Sequence, residues 1–274
     1  MPASSLSNFV RHYLLAVQFF TRLPITGRLA GWVGYSPEML RASAAHFPGV
    51  GWLVAAVAMG VYTLLWTALA GSSGAALVAA VFSTAATVWL TGGLHEDGLA
   101  DVADGLGGSL DRNRALQIMK DSRIGAFGAM ALVLALLAKV ALLALLGAHS
   151  LGAALSALLG AHVLTRFWPL LLVRTMAHVG DTATSKSKPL ADQIGGRALA
   201  VATLWCFMPL ALVWQAQAAL FLIASGVCSA LGAAHVARLL ARRLQGFTGD
   251  GLGAVQQVSE IGFYLGAALA LRWA

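Results

Sequence analysis

Residues 50–94 read VGWLVAAVAMGVYTLLWTALAGSSGAALVAAVFSTAATVWLTGGL, and not one Asp, Glu, Lys or Arg interrupts them. About 20 consecutive apolar residues carry a helix across roughly 30 Å of hydrocarbon. This stretch is long enough for two crossings, with Gly71-Ser72-Ser73-Gly74 as the uncharged turn between them. Ala198 to Ala237 is equally free of charge. Over the whole chain 59% of residues are hydrophobic and 11% are charged, with a mean hydropathy of +0.78. A soluble domain carries about 25% charged residues. The apolarity is continuous and does not alternate, which excludes a β-barrel. The expected fold is all-α: a polytopic helical membrane protein of about seven transmembrane helices, filling residues 1–274 as one integral membrane domain.

The expected spans are Phe47–Ala70, Ala75–Leu94, Ile124–Leu146, Leu151–Val173, Ala198–Trp214, Ala218–Ala237 and Leu252–Leu271. Residues 9–23, bracketed by Arg11 and Arg22 and stopped by Pro24, read as an interfacial helix. The N-terminus lacks the pattern of a cleavable signal peptide. Connections near residues 71, 148 and 216 carry no Lys or Arg, whereas the N-terminal segment, 95–123, 174–197 and 238–250 carry nearly all of them. The two sets alternate, so the positive-inside rule places the long connections in the cytoplasm. The net charge of +7 is accounted for by those loops facing anionic lipid, which removes the case for nucleic acid. Cys206 and Cys228 both lie in apolar spans and read as core residues. Asp181 to Pro189, rich in Thr, Ser and Lys, reads as a mobile loop able to cover a site. A homo-oligomer is left open.

Against this background the acidic residues are concentrated. Of eleven, Glu96, Asp97, Asp101, Asp104, Asp111 and Asp121 fall in the segment 92–128 that follows the second span. Asp97, Asp101 and Asp104 stand at i, i+4 and i+7, one face of a helix. Carboxylates so stacked repel one another unless a divalent cation bridges them, and Mg²⁺, which shares one or two carboxylates with substrate phosphates, suits that arrangement. His95 and Glu96 precede them. Arg112, Arg114, Lys120 and Arg123 follow, suited either to take phosphate oxygens or to anchor the membrane interface on the basic side, with Lys120 and Arg123 favouring phosphate because Asp121 lies between them. A second polar patch opens the last span: Asp250 at its mouth is a further metal ligand, Gln256 and Glu260 share a face, and Gln257 is suited to helix–helix hydrogen bonding. Arg166, within the fourth span, either pairs with Glu260 or binds phosphate. Lys139, within the third, reads as a packing residue.

Three stretches together resemble one family. Gly93-Leu94-His95-Glu96-Asp97-Gly98-Leu99-Ala100-Asp101 with Ala103-Asp104-Gly105, then Met119-Lys120-Asp121-Ser122-Arg123-Ile124-Gly125-Ala126-Phe127-Gly128, then Gly249-Asp250 with Leu252-Gly253-Ala254 and Gln256-Gln257, are similar to cobalamin synthase, the adenosylcobinamide-GDP ribazoletransferase family. Gly251 departs from the small aliphatic residue expected there. The resemblance implies a Mg²⁺-dependent enzyme of the bacterial cytoplasmic membrane, its active site facing the cytoplasm. It would join adenosylcobinamide-GDP to α-ribazole or its 5′-phosphate and release GMP. On that reading Asp97, Asp101, Asp104 and Asp250 hold metal, and His95, Glu96, Asp97, Lys120 and Arg123 are catalytic. Arg112, Arg114, Lys120, Arg123, Arg166, Gln256 and Gln257 bind substrate. Two rivals share features: a CDP-alcohol phosphotransferase, whose motif would need Arg where Asp101 stands, and a prenyltransferase, which would need a second Asp-rich motif. A cation transporter built on Glu260 is a third, without the inverted repeat such proteins show.

Overall fold

In hydrocarbon a helix satisfies its own backbone hydrogen bonds, and these apolar stretches have no other way to do so. A computed structural model describes residues 5–179 and 194–272, and there the chain is helical almost throughout. One isolated bridge, His178 to Phe247, stands in place of a sheet among the described residues. The Asp181 to Pro189 tract lies outside them.

The N-terminal helix α1, Ser5–Phe20, begins earlier than the expected interfacial helix and stops before Pro24. Its end is fixed by Thr21, whose hydroxyl donates to the Val17 carbonyl and accepts from the Leu23 N–H. Short helices α2, Gly27–Val33, and α3, Pro37–Ser43, lead into α4, Phe47–Ala68. Then come α5, Ala75–Thr91, α6, Leu94–Gly108, α7, Arg112–Met119, and α8, Ala126–His149. The chain continues through α9, Leu151–Leu164, α10, Trp168–Thr175, α11, Gly196–Ala216, α12, Ala219–Arg243, and α13, Gly249–Ala270.

Among the described residues five helical stretches are long and apolar enough to cross a membrane: Pro37–Ala68, Ala126–His149, Leu151–Thr175, Gly196–Ala216 and Ala219–Arg243. A sixth exists if α5 and α6, bent by 88° at their junction, count as one span. That is fewer than the expected seven, and the difference has a physical source. The last helix, α13, carries Gln256, Gln257, Ser259 and Glu260, all buried among its neighbours, so its own apolarity falls short although it packs in the heart of the bundle. The α5–α6 bend comes from Gly92 and Gly93, consecutive residues in the left-handed region with φ of 70° and 72°. Side chains other than glycine rarely adopt that conformation, and two in succession turn the chain sharply.

The two sets of connections gather at opposite ends. Tyr62 donates to the Leu143 carbonyl, Trp66 to the Gly147 carbonyl, and Gln217 to the Ser156 hydroxyl. These bonds bring together the three turns that lack Lys and Arg. At the other end Arg243 donates to the carbonyls of Leu106 and Ser109, and Arg112 donates to Leu244 O at 2.7 Å. The two arginines clasp the α6–α7 corner to the end of α12 and cover carbonyls that helix termini leave unpaired.

Asp104 fastens the start of α8. Its Oδ2 accepts from the Gly125 N–H and its Oδ1 from the Gly128 N–H, both at 2.7 Å. The residue is buried. It serves as a capping carboxylate supplied from another helix, at the end where the helix dipole favours negative charge. Asp104→Ala is expected to lower stability by about 2 kcal/mol, the cost of losing charge-assisted bonds to buried N–H groups. Thermal unfolding in detergent checks this, and an unchanged melting temperature would contradict the capping role.

Candidate active site

The α5–α6 bend gives α6 two working faces. Asp97 is exposed and Asp101 partly exposed on one side, while His95 and Glu96 turn into the bundle. Helix α13 meets α6 at its first turn. Thr248 caps α13, accepting from the Gly251 N–H, and Asp250 stands in that first turn. The approach is close because position 98 has no side chain: a Cβ at Gly98 would lie 2.7 Å from the Asp250 carbonyl oxygen. Asp97, Asp101 and Asp250 thereby become neighbours across two helices.

Their electrostatics record it. Burial, and then the charges of Asp250, Asp97 and Asp104, push the Asp101 carboxyl up to about 7. Burial and Asp97 push Asp250 up to about 6. No ion pair reaches any of the three among the described residues. Their charge is therefore left uncompensated among the described residues, at a place open to solvent. Among the described residues no group of three or more His, Cys, Asp or Glu side chains is arranged to hold a metal ion by itself. The donor set still fits a hard divalent cation that takes one or two carboxylates and completes its shell with water and phosphate oxygens.

The other face of α6 enters a buried polar network. Glu96 Oε1 accepts from Gln257 Nε2 at 3.0 Å and lies 3.7 Å from Lys139 Nζ. Lys139, midway along the otherwise apolar α8 and 2% exposed, sits 3.0 Å from Glu260 Oε1. Glu260 also accepts from Gln256 at 2.7 Å and from Tyr264 at 2.9 Å. Gln256 donates to the Thr165 hydroxyl as well. Arg166 follows Thr165 at the break between α9 and α10, just ahead of Pro169, and Arg166 Nη1 donates to the His162 carbonyl at 2.7 Å. Among the described residues Glu96 Oε2, Arg166 Nε and His162 Nδ1 find no hydrogen-bond partner, and all three residues line one small cavity.

The structure thus sorts the sequence candidates. Asp97, Asp101 and Asp250 come together at the mouth. Asp104, expected beside them as a ligand, has both oxygens engaged by backbone N–H groups. His95 is buried with its ring stacked on Phe20, at a centroid distance of 6.1 Å. Arg166 does not take Glu260 as its ion-pair partner; Lys139 does. Arg112 holds the Leu244 carbonyl. Arg114 reaches Gln117 on the exposed side of α7. Arg123 is 87% exposed and makes a forked contact with Asp121, at 2.6 Å for the shortest bond, which holds the Asp121 carboxyl down at about 2. Lys120 is exposed at the end of α7. Gln256 and Gln257 are buried links between helices. Sequence reasoning undervalued Lys139. The available signal was a lysine in the centre of an apolar span, which is costly unless it faces the bundle interior with a partner.

The profile of the cobalamin-5-phosphate synthase family matches residues 12–268. A protein of Polaromonas naphthalenivorans named adenosylcobinamide-GDP ribazoletransferase is 60% identical, with 96% of this chain and 99% of that protein covered. Proteins of the same name from Leptothrix cholodnii and Vibrio cholerae are 46% and 41% identical, covering 96% and 92% of this chain and 97% and 91% of their own lengths. No solved structure matches the chain. With a family profile spanning nearly all of its length, this chain belongs to the cobalamin-5-phosphate synthase family.

Proposed function

We propose that the chain is the transferase its relatives' names describe, joining adenosylcobinamide-GDP to α-ribazole or its 5′-phosphate and releasing GMP. The observation that carries this reading is the uncompensated carboxylate trio Asp97, Asp101 and Asp250, set where two helices meet at the basic end of a membrane bundle. On this reading that end faces the cytoplasm, the bilayer is the bacterial cytoplasmic membrane, and the substrates arrive from the aqueous side. The alternation of basic and uncharged connections supports the orientation.

In the reaction a bond forms between the ribose 3′ oxygen and the phosphorus that carries the cobinamide arm. The bond from that phosphorus to GMP breaks, and the hydroxyl proton passes to a base. On this reading Asp101 and Asp250 would hold Mg²⁺, with Asp97 beside them. When bound, Mg²⁺ supplies charge neutralisation of the diphosphate and of the departing phosphate. Asp97, the exposed acid of its turn, is the side chain best placed to receive the hydroxyl proton on a carboxylate oxygen. His95, packed against Phe20, and Glu96, engaged by Gln257, orient the turn from within. Lys120 lies on the exposed side of the following corner, where a phosphate oxygen can be met. An in-line displacement of this kind depends chiefly on positioning and on charge stabilisation, and both duties fall here to two rigid helices.

A release assay for GMP, run against Mg²⁺ concentration, tests the reading. Asp97→Ala, Asp101→Ala and Asp250→Ala should each lose about 100-fold or more in turnover, the scale of removing one electrostatic stabiliser of the transition state, with membrane insertion intact. Wild-type turnover in all three would remove the basis for the site. A second expectation follows from the raised carboxyls. Asp101 and Asp250 ionise at higher pH in the folded protein than in the unfolded chain, where a carboxyl near 4 is the rule. Folding therefore bears their repulsion above the folded values and is spared it below the unfolded one. Without divalent cation, the melting temperature in detergent should fall as pH rises from about 4 to about 7. Asp101→Asn should flatten that slope, and a slope unaffected by the substitution would show that other groups cause it.

A further inference from the structure

Lys139 cannot touch a substrate at the mouth. It is 2% exposed, midway along α8, beneath the acidic helix. Yet its ammonium meets three side chains on the two helices that supply the carboxylate trio. Glu96 belongs to α6, one residue before Asp97. Gln257, with its Oε1 at 3.3 Å, and Glu260, at 3.0 Å, belong to α13, the helix that begins with Asp250. Gln257 closes the loop by donating to Glu96 directly. Glu96, Glu260, Lys139 and Arg166 together sum to zero formal charge, so the group balances its own charge and does not call for an ion.

A buried ion pair is a poor source of net stability, because desolvation consumes most of the attraction, but its geometry is specific. Here the specificity has an evident object. Each residue along a helix is rotated by about 100° from the last. A slip of α6 by one position would carry Glu96 away from Lys139 and Gln257, and would swing Asp97 and Asp101 out of register with Asp250 at the same time. The inward contacts and the outward carboxylates are thus locked to one another. Asp104, at the far end of α6, ties the same helix to the N-terminus of α8, so α8 holds α6 at two points.

We propose that Lys139 is a positioning residue: through Glu96 on α6 and Glu260 and Gln257 on α13, it sets the two helices so that Asp101 and Asp250 face one divalent cation, with Asp97 beside them. This rests on the metal-site reading above and adds to it the element that builds the site from below.

The test separates the two. Lys139→Met alone leaves Glu260 buried without its partner and loses folded protein, so the informative variant is the charge-neutral pair Lys139→Met with Glu260→Gln. Mn²⁺ serves as a paramagnetic probe of the site, titrated into purified full-length protein in detergent and followed by electron paramagnetic resonance. Turnover is measured alongside. The proposal expects a folded double variant whose Mn²⁺ affinity falls about 10–100-fold, the usual effect of removing support from behind metal ligands. kcat should fall with it, while KM for the corrinoid substrate moves little. A purely structural role would lower the amount of active protein and leave the metal affinity of the folded fraction unchanged; that result overturns the proposal. Gln257→Leu, which cuts the link to Glu96 without changing charge, should shift Mn²⁺ affinity in the same direction by a smaller factor. If neither variant folds, the network is a folding element and the positioning role is rejected. If the wild-type protein binds no Mn²⁺, the metal-site reading itself fails. Normal wild-type binding, matched by both folded variants, rejects only the role of Lys139.

Discussion

A carboxylate inside a membrane bundle must be compensated, and nearly every feature of this protein follows from how that is done for a handful of acids. An unpaired charge taken out of water costs several kcal/mol even after relaxation. Asp104 is compensated by two backbone N–H groups at a helix start. Glu260 is compensated by Lys139, Gln256 and Tyr264, and Glu96 by Gln257 with Lys139 behind it. Among the described residues Asp97, Asp101 and Asp250 receive no such partner. The distinction between the two sets of acids is therefore one of residual charge: where the protein has already balanced the carboxylate there is little left for a ligand, and where it has not, charge remains for the cation proposed above.

The same criterion applies to the basic residues. An arginine near an acidic motif suggests phosphate, but Arg112 and Arg243 are spent on carbonyls at helix ends, and Arg123 on Asp121. Arg166 is held inside the bundle by the His162 carbonyl. Side chains with planar, multiple donors satisfy carbonyl clusters well, and a corner where α6 and α12 end together offers several carbonyls. Proximity in sequence to the acids thus overstated how much of the positive charge is free to meet a nucleotide.

The class of fold was legible because hydrocarbon imposes one solution on long apolar runs, and residues 50–94 and 198–237 leave no alternative. The number of crossings was less so. Composition separates lipid-facing helices from the rest, yet α13 is polar for the opposite reason, being enclosed by other helices with Gln256, Gln257 and Glu260 turned inward. The acidic motif was also legible, and its i, i+4, i+7 spacing correctly indicated a helix over Leu94–Gly108. Spacing could not show that the third member of that series points to the start of α8. That contact depends on Gly125 and Gly128, more than twenty residues downstream, and on a turn whose path is set by tertiary packing. Lys139 was the reverse case: visible as an oddity in its span, but without meaning until Glu96 and Glu260 were seen to flank it from two other helices.

Helix α6 is where these threads join. Had α5 continued straight, its next turns would have buried the acids in the bilayer, with no water for the outer ones and no room for a nucleotide. Two left-handed glycines, Gly92 and Gly93, turn the chain by 88°. The turned helix presents Asp97 and Asp101 outward while Glu96, on the same turn as Asp97, reaches down into the charge-balanced interior. One short helix is therefore both the floor of the site and the lid of the core. Its outer carboxylates cannot shift without breaking the inner contacts, and this gives the bundle a rigid acidic edge.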